Sequence, residues 1–384
     1  MKSSTKRFFA IVVCLVFVLS VFAGCSSNEA KPADAKATAE TKAAAGTAQT
    51  GDASAASSDD GYRTVNGHKV PKFEGKPDET YYMNVMVSGV EYWFPVYEMF
   101  KQCAWELGVK SVYSGTTEMD ANKQIASFEQ DLAKKPAGIM VHPVNGDAFV
   151  APINKAIDSG VPVITFANDS PNSKRRVFIT SDNVYEGQVC VQELAKALNE
   201  EGEIAILENP GQANHNNYMN SVKEELKKYP KMSIVASAAP AQDTTKAYNA
   251  SLSFIQAHPN LKAIITPEGP DALGAAQAAK EKGGKVLVLT RDLNQKILDM
   301  IKAGEVWGAI NPDQGMQGYF GMLTLFVSKH TELVDPMSDY AIKNVNPVQL
   351  PYINNGMTVV TKENADAFYW DKYLKKRGTD GIKE

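Results

Sequence analysis

Residues 136–166, PAGIMVHPVNGDAFVAPINKAIDSGVPVITF, can be laid over residues 261–290, LKAIITPEGPDALGAAQAAKEKGGKVLVLT. Each stretch opens with a short apolar run, continues through a helical pattern that ends at glycine, and closes on a second apolar run. Strand–helix–strand units of this kind are typical of parallel sheets covered by helices. Because the unit occurs twice, the sequence predicts two similar α/β lobes.

The same alternation extends outward from both stretches and fills most of the chain. In the first half, strands are predicted at 82–88, 109–113, 138–142 and 161–166, and helices at 96–107, 122–133 and 149–158. In the second half, strands are predicted at 203–207, 233–236, 263–266 and 286–289, and helices at 218–228, 245–256 and 272–282. The fold class is therefore α/β, with two doubly wound parallel-sheet lobes.

The N-terminus has the three parts of a secretory signal. Lys2, Lys6 and Arg7 precede an apolar run over 8–22, which is shorter than the roughly 18 residues of a spanning helix. The motif Phe22-Ala23-Gly24-Cys25 resembles a bacterial lipobox, which implies cleavage before Cys25 and lipidation of its thiol. A signal peptide over 1–24 and a body anchored to the outer face of the cell membrane are expected. The alternative is an uncleaved N-terminal anchor, which also places the body outside the cytoplasm.

The segment after Cys25 changes in composition. Residues 26–60 contain no aromatic residue and no aliphatic side chain larger than Ala. Such a segment cannot bury enough surface to offset the entropy of ordering, so the sequence predicts a lipidated disordered tether over 25–77. A polar tail is expected over 373–384. A lipid anchor on a long polar tether suits a receptor on the surface of a Gram-positive cell.

Composition and motifs exclude several function classes. The net charge is −4, with no basic bias of the kind that nucleic-acid binding requires. Cys103 and Cys190 lie in helical patterns without the spacing of a zinc or disulfide framework. The chain has no G-x-S-x-G, H-E-x-x-H, Walker A or G-x-G-x-x-G motif. We expect a monomeric binding protein with no cofactor and no metal, and not an enzyme.

Aromatic and polar residues follow the predicted strands, where open parallel sheets bind their ligands. The candidate ligand-binding residues are Glu91, Trp93, Phe94, Asn168, Asp169, Asn216, Glu268, Arg291, Asp292, Asn311 and Gln314. Aromatic rings can cover the apolar faces of a sugar ring, while amides and carboxylates hydrogen-bond its hydroxyls. These residues predict a small polar ligand such as a sugar or polyol.

Some of these residues have structural alternatives. Trp93 could pack in the core of its lobe. Asp292 and Asn168 stand at strand-to-helix turns, where either could cap a helix. Glu268 and Arg291 could pair with each other rather than with a ligand.

From about Tyr81 to Tyr369 the chain resembles the type I periplasmic binding proteins of the ribose-binding and sugar-transporter class. The matching stretches are YWFPVYEMFKQCAWELGV, SGVPVITFANDSPNSKRRVFITSDN, PDALGAAQAAKEKG, INPDQGMQGYFGM and NNGMTVVTKENADAF. The resemblance implies two lobes that close by hinge motion on a monosaccharide, with an ABC permease as partner. It implies that the chain crosses between the lobes near 182–183, 311–312 and 335–336. The N-terminal lobe then comprises 78–182 with 312–335, and the C-terminal lobe comprises 183–311 with 336–372.

The resemblance also implies roles for individual residues. Trp93 and Phe94 match the stacking aromatics, Asn168 and Asp169 lie beside the polar contacts of the first lobe, and Asp292 matches the acid of the second lobe. Glu268 stands where the family usually has Asn or Asp, and residues 216–217 match a loop that often supplies an arginine. Asn311 or Gln314 matches the amide at the hinge. Ala167 stands where an Asp is usual, and no D-x-D-x-D-G calcium loop is present.

Two other functions remain open at the level of sequence. The same fold could sense a ligand, an autoinducer-like furanose included, and signal through a membrane receptor such as a histidine kinase, because docking surfaces leave no motif. A secreted enzyme would need a general acid or base in the cleft, for which Glu268 and Asp292 are the candidates.

Overall fold

The computed structural model describes residues 61–210, 212–333 and 350–377. The signal segment, Cys25, residues 26–60 and the expected crossing at 335–336 lie outside the described residues. Within the described part of the chain, no helix has the length and apolar character needed to cross a membrane.

Residues 62–71 form an antiparallel hairpin, in which β1 (Tyr62–Val65) pairs with β2 (His68–Pro71). The turn residues Asn66 and Gly67 have φ angles of 49° and 80°. A tight hairpin turn of this kind requires positive φ at both central residues, and Asn-Gly adopts it readily. The prediction of a disordered tether up to residue 77 is therefore wrong for residues 62–71. The Asn-Gly dipeptide in the sequence indicates this hairpin.

The first lobe alternates strands and helices along the chain. Its elements are β3 (Thr80–Val85), α1 (Trp93–Glu106), β4 (Lys110–Gly115), α2 (Ala121–Ala133), β5 (Gly138–His142), α3 (Val150–Asp158), β6 (Val163–Phe166) and β7 (Phe178–Thr180). Successive residues of a strand face opposite sides of the sheet. Tyr81 and Met83 accordingly pack in one buried cluster with α1, whereas Tyr82 packs in another with α2 and α3.

The second lobe repeats this arrangement. Its elements are α4 (Asn183–Leu198), β8 (Gly202–Leu207), α5 (Ala213–Leu226), β9 (Met232–Ala238), α6 (Thr244–Ala257), β10 (Leu261–Ile265), α7 (Gly269–Glu281), β11 (Leu287–Arg291), α8 (Gln295–Ala303) and β12 (Gly308–Pro312). The remaining elements are α9 (Gln314–Lys329), a 3₁₀ turn (Thr331–Leu333), β13 (Tyr352–Asn354), β14 (Met357–Thr361), a second 3₁₀ turn (Ala365–Phe368) and α10 (Trp370–Arg377).

The two sheets have matching strand orders. The first is β13-β7-β6-β5-β3-β4, and its paired strands all run parallel. The second is β14-β12-β11-β10-β8-β9, in which β14 runs antiparallel to β12. This topology confirms the predicted fold class of two similar α/β lobes.

The chain passes between the lobes after β7, after β12 and between β13 and β14. Since β13 pairs with β7, residues 352–354 belong to the first sheet, and the expected assignment of 336–372 to the second lobe is corrected at that strand. Residues 355–356 are the third crossing that the structure describes. The helix α10 extends to Arg377 with Leu374 buried, so the expected polar tail from 373 is corrected as well.

Candidate functional site

A cavity of about 230 Å³ lies between the lobes at the carboxyl ends of the strands. The first lobe supplies the segment 86–93 with His142 and Ala167, and the second supplies residues after β8, β10 and β11. At about 30 Å³ per water molecule in the liquid, this volume equals roughly eight waters. The cavity is therefore matched in size to a single small ring compound.

Aromatic side chains of the first lobe form one wall. Tyr92, Trp93 and His142 line the cavity, and the Trp93 and His142 rings lie 4.6 Å apart. Trp93 Nε1 donates to the Met86 carbonyl at 3.1 Å, and only 6% of the residue is exposed. Trp93 therefore belongs both to the core of its lobe and to the cavity wall.

Two histidines face the cavity from opposite lobes. Burial lowers the pKa of His142 to about 3, and burial together with the nearby Arg291 lowers the pKa of His215 to about 3. Both rings are therefore neutral at pH 7. In the part of the chain that the structure describes, neither Nδ1 atom has a hydrogen-bonding partner.

Arg291 is held in the wall of the second lobe by a buried carboxylate. Its Nε donates to Glu186 Oε2 at 2.7 Å, and its guanidinium carbon lies 6.0 Å from the centre of the Tyr218 ring. The residues Arg291 and Glu186 are 4% and 0% exposed. Glu186 thus compensates the charge of Arg291 and fixes its position beside the cavity.

Two carboxyl groups of the second lobe that line the cavity have raised pKa values. Burial, reinforced by the neighbouring acids Asp271 and Asp292, raises the pKa of Glu268 to about 9. Burial raises the pKa of Asp292 to about 6, and Arg291 opposes the shift. Glu268 accepts from Asn209 Nδ2 at 2.5 Å, so its partner is Asn209, and Arg291 pairs with Glu186.

Three residues at the edge of the cavity have strained backbone conformations. Val87, Ala167 and Asp292 have φ angles of 46°, 54° and 68°, and all three line the cavity. Residues other than glycine rarely adopt this left-handed backbone conformation, because it costs of order 1 kcal/mol per residue. A β-branched residue such as Val87 adopts it least readily. The helix cap that was an alternative for Asp292 is supplied by Asn294, whose side chain accepts from the Ile297 N–H.

The structure places six of the predicted site residues away from this cavity. Phe94 packs on Trp370 with ring centres 4.2 Å apart, Asn168 donates to the Pro143 carbonyl, and Asp169 is bound by Arg175 through two hydrogen bonds of 2.6 Å. Asn216 is exposed on α5, while Asn311 and Gln314 line a neighbouring cavity. The helix α5 begins five residues before the predicted start, which brings Asn214 and His215 rather than Asn216 to the cavity.

Glu91, Trp93, Glu268, Arg291 and Asp292 do line the cavity, as the strand-end rule predicted. Tyr92, His142 and His215 were not among the candidate residues, although each stands in or next to a segment that follows a strand. Glu186 was missed as well. It contacts Arg291 from 105 positions away in sequence, and no local pattern marks it.

The chemistry of the cavity suits a neutral polar ligand. A protonated Glu268 can donate a hydrogen bond, whereas Asp292 Oδ1, which lies 3.5 Å from Arg291 Nη1, accepts no hydrogen bond from the described residues. Tyr92 and Trp93 provide aromatic surface beside these groups. No cluster of His, Cys, Asp and Glu suited to a metal ion occurs in the described ranges.

Two similar lobes that share one polar cavity define a two-lobed solute-binding protein. The chain belongs to the periplasmic binding protein family, since residues 82–327 match the family described as periplasmic binding protein domain. This confirms the family predicted from the sequence. It also confirms a binding protein rather than an enzyme.

Several relatives and solved structures are similar to this chain. The D-allose-binding periplasmic protein of Escherichia coli (strain K12) is 28% identical over 64% of this chain and 83% of that protein. The ribose import binding protein RbsB of Bacillus subtilis (strain 168) is 26% identical over 48% of this chain and 60% of that protein. The solved structure of AraP, an arabinose binding protein from Geobacillus stearothermophilus, is 31% identical with a TM-score of 0.70, covering 76% of this chain and all of that one.

Proposed function

We propose that this protein is a lipid-anchored extracytoplasmic receptor that captures a neutral monosaccharide or similar polyol between its lobes and delivers it to an ABC permease. The observation that carries the proposal is the cavity of about 230 Å³ between the lobes, in which polar groups from both lobes converge beside Tyr92 and Trp93. Relatives named for allose, ribose and arabinose support a sugar ligand.

Buried polar atoms of the cavity wall that make no hydrogen bond support the same ligand class. Buried polar atoms in folded proteins nearly always have hydrogen-bonding partners. In the described residues, His142 Nδ1, His215 Nδ1 and Asp292 Oδ1 make no hydrogen bond, although Asp292 Oδ1 lies 3.5 Å from Arg291 Nη1 and His215 Nδ1 lies 3.8 Å from Glu268 Oε1. Hydroxyl groups can both donate and accept, so a polyol can satisfy all three atoms.

The ligand can be identified by a thermal-shift screen of pentoses, hexoses, polyols and furanoses. A ligand that binds only the folded chain raises the melting temperature by mass action. We expect a neutral sugar to give the largest rise and phosphorylated or acidic sugars to give none. A rise with a sugar acid alone would contradict the proposal.

The site itself is tested by Asp292→Ala. Loss of a charged hydrogen-bonding group should weaken binding of the sugar found in the screen about 10- to 100-fold in calorimetry. Asn216→Ala, which removes an exposed amide outside the cavity, is the matched control and should bind normally. Unchanged affinity in Asp292→Ala would place the ligand elsewhere.

The lipid anchor and the permease need separate experiments. Cys25→Ala should release the chain from the membrane fraction and abolish lipid labelling, whereas retention would indicate an uncleaved anchor. Crosslinking in cells should capture a permease. Capture of a histidine kinase instead would favour sensing over transport.

A further inference from the structure

A second cavity, of about 370 Å³, lies between the lobes beside the cleft. The first lobe contributes the starts of α1 and α9, and the second contributes the start of α8, the end of β12 and the C-terminal residues 367–374. Glu91, Leu293 and Asn294 line both cavities, and Glu91 accepts from the Gln295 N–H of the other lobe at 2.9 Å.

The charged residues that line this second cavity are all acidic. Its lining residues include the acids Glu91, Glu98 and Asp313 and, within the described ranges, no Lys, Arg or His. Lys101 pairs with Glu98 at 2.8 Å, whereas Asp313 Oδ1 accepts only from the Thr358 hydroxyl at 3.1 Å among the described residues. Burial raises the pKa of Asp313, as expected for a carboxylate that lacks a counter-ion.

The lining of this cavity includes buried polar atoms that make no hydrogen bond to the described residues, among them the donor Trp370 Nε1 and the acceptor Asn311 Oδ1. Asn311 is 6% exposed, and its Oδ1 is buried with no donor among the described residues. Its position next to Asp313 on the crossing after β12 places an amide and a carboxylate on the same wall. A ligand with N–H donors would satisfy both.

Aromatic and sulfur-containing side chains complete the lining. Phe368, Trp370 and Tyr373 contribute from the C-terminal segment, and Met99 and Met316 from the first lobe. The faces of aromatic rings carry negative charge density and attract cations, most strongly when the cation is shielded from water. An ammonium group with a short alkyl chain matches both the rings and the carboxylates.

We propose that the second cavity binds a small organic cation of the alkylammonium class. Anions would be repelled by the acids, and a neutral polyol would leave Asp313 without a counter-ion. A metal ion lacks a suitable ligand set, because no cluster of metal-ligating groups exists in the part of the chain that the structure describes.

Binding at this site is coupled to closure of the cleft. The lining comes from both lobes, so the cation makes all of its contacts only when the lobes are together. By linkage, the cation and the cleft ligand raise each other's affinity. The second site itself does not depend on the identity of the cleft ligand.

The test is titration calorimetry of the full-length chain with ethylammonium chloride, with ethanol and sodium acetate as uncharged and anionic comparisons. We expect saturable binding of ethylammonium only. Asp313→Asn, which keeps the size of the side chain, should weaken it at least tenfold, and Phe368→Leu should weaken it severalfold. Trp105→Leu changes an aromatic residue that is 62% exposed and outside both cavities, and should bind normally.

Three results would overturn the proposal. These are no saturable binding of ethylammonium, equal binding of ethanol, and unchanged affinity in both Asp313→Asn and Phe368→Leu. Loss of ethylammonium binding in Asp292→Ala with retention in Asp313→Asn would place the cation in the cleft and would likewise reject the second site.

Discussion

Glu268 lies in the cleft wall with its carboxyl group bound to Asn209, while the nearest guanidinium, that of Arg291, is paired with Glu186. Burial without a paired cation raises its pKa to about 9. The group is therefore protonated at pH 7 in the folded chain and ionised in the unfolded chain. Folding takes up a proton, so stability falls as the pH rises from the unfolded pKa to the folded one.

Between about pH 7 and 8.5 the contribution of Glu268 is isolated by comparing the wild type with a Glu268 variant, because the other titrating groups, such as Asp271 with its pKa raised by burial to about 7, are present in both chains. We expect the free energy of unfolding of the unliganded chain to fall with pH by up to about 1.4 kcal/mol per pH unit from Glu268. Glu268→Gln should remove that part of the slope in urea denaturation. Glu224→Gln, on an exposed ion pair with Lys227, is the control and should keep the wild-type slope.

At the scale of single residues, the sequence predicts those site residues that come directly after a strand. Glu268 and Asp292 are such residues. It could not predict that Asp169 is occupied by Arg175, because both follow the same strand and only the loop geometry brings the guanidinium onto the carboxylate. The role of Glu186 could not be predicted for a similar reason, since its partner Arg291 lies in another element.

At the scale of elements, the packing of α1 against α9 depends on a glycine. A Cβ atom at Gly318 would lie 1.8 Å from the Val96 carbonyl oxygen. Overpacking costs roughly 1–3 kcal/mol or more, whereas the helix propensity of alanine returns only about 1 kcal/mol. We therefore expect Gly318→Ala to lower the free energy of unfolding by about 2 kcal/mol in urea denaturation.

Gly89→Ala is the matched control for that substitution, because nothing lies within 4 Å of its Cβ position and its φ is not in the left-handed region. Equal stability of Gly318→Ala and the wild type would mean that the two helices do not pack as closely as described.

Most elements were predictable because buried strands and amphipathic helices differ in period. The helix α2 was placed within one residue by its apolar spacing. The start of α5 was missed because its first turn, Ala213 to Asn216, is polar and has no side-chain cap. The hairpin β1–β2 was missed because its strands are mostly exposed and have no buried face to reveal a period.

At the scale of the whole molecule, side-chain contacts join the two lobes directly. Glu91 of the first lobe accepts from the first N–H of α8 in the second, and Phe94 stacks on Trp370 of α10. A carboxylate at a helix N-terminus contributes about 1 kcal/mol. Such contacts could not be predicted from periodicity, because they join residues more than two hundred positions apart in the sequence.

Glu91→Ala should therefore shift the unliganded chain toward an open form by about fivefold. Small-angle X-ray scattering should show a larger radius of gyration. Asp120→Ala removes a comparable cap within the first lobe, where Asp120 accepts from the Lys123 N–H, and should leave the radius unchanged. An unchanged radius in Glu91→Ala would show that this contact does not govern closure.

The strained residues at the cavity edge set a limit on how the protein could be made more robust. Glycine at Val87 or Ala167 would relieve the left-handed backbone, but it would also loosen the segments that carry Trp93 and border the ligand. Selection for heat resistance and selection for tight capture thus act in opposite directions at these two positions. A laboratory lineage evolved for thermal tolerance alone would be expected to acquire glycine there and to lose affinity as it did so.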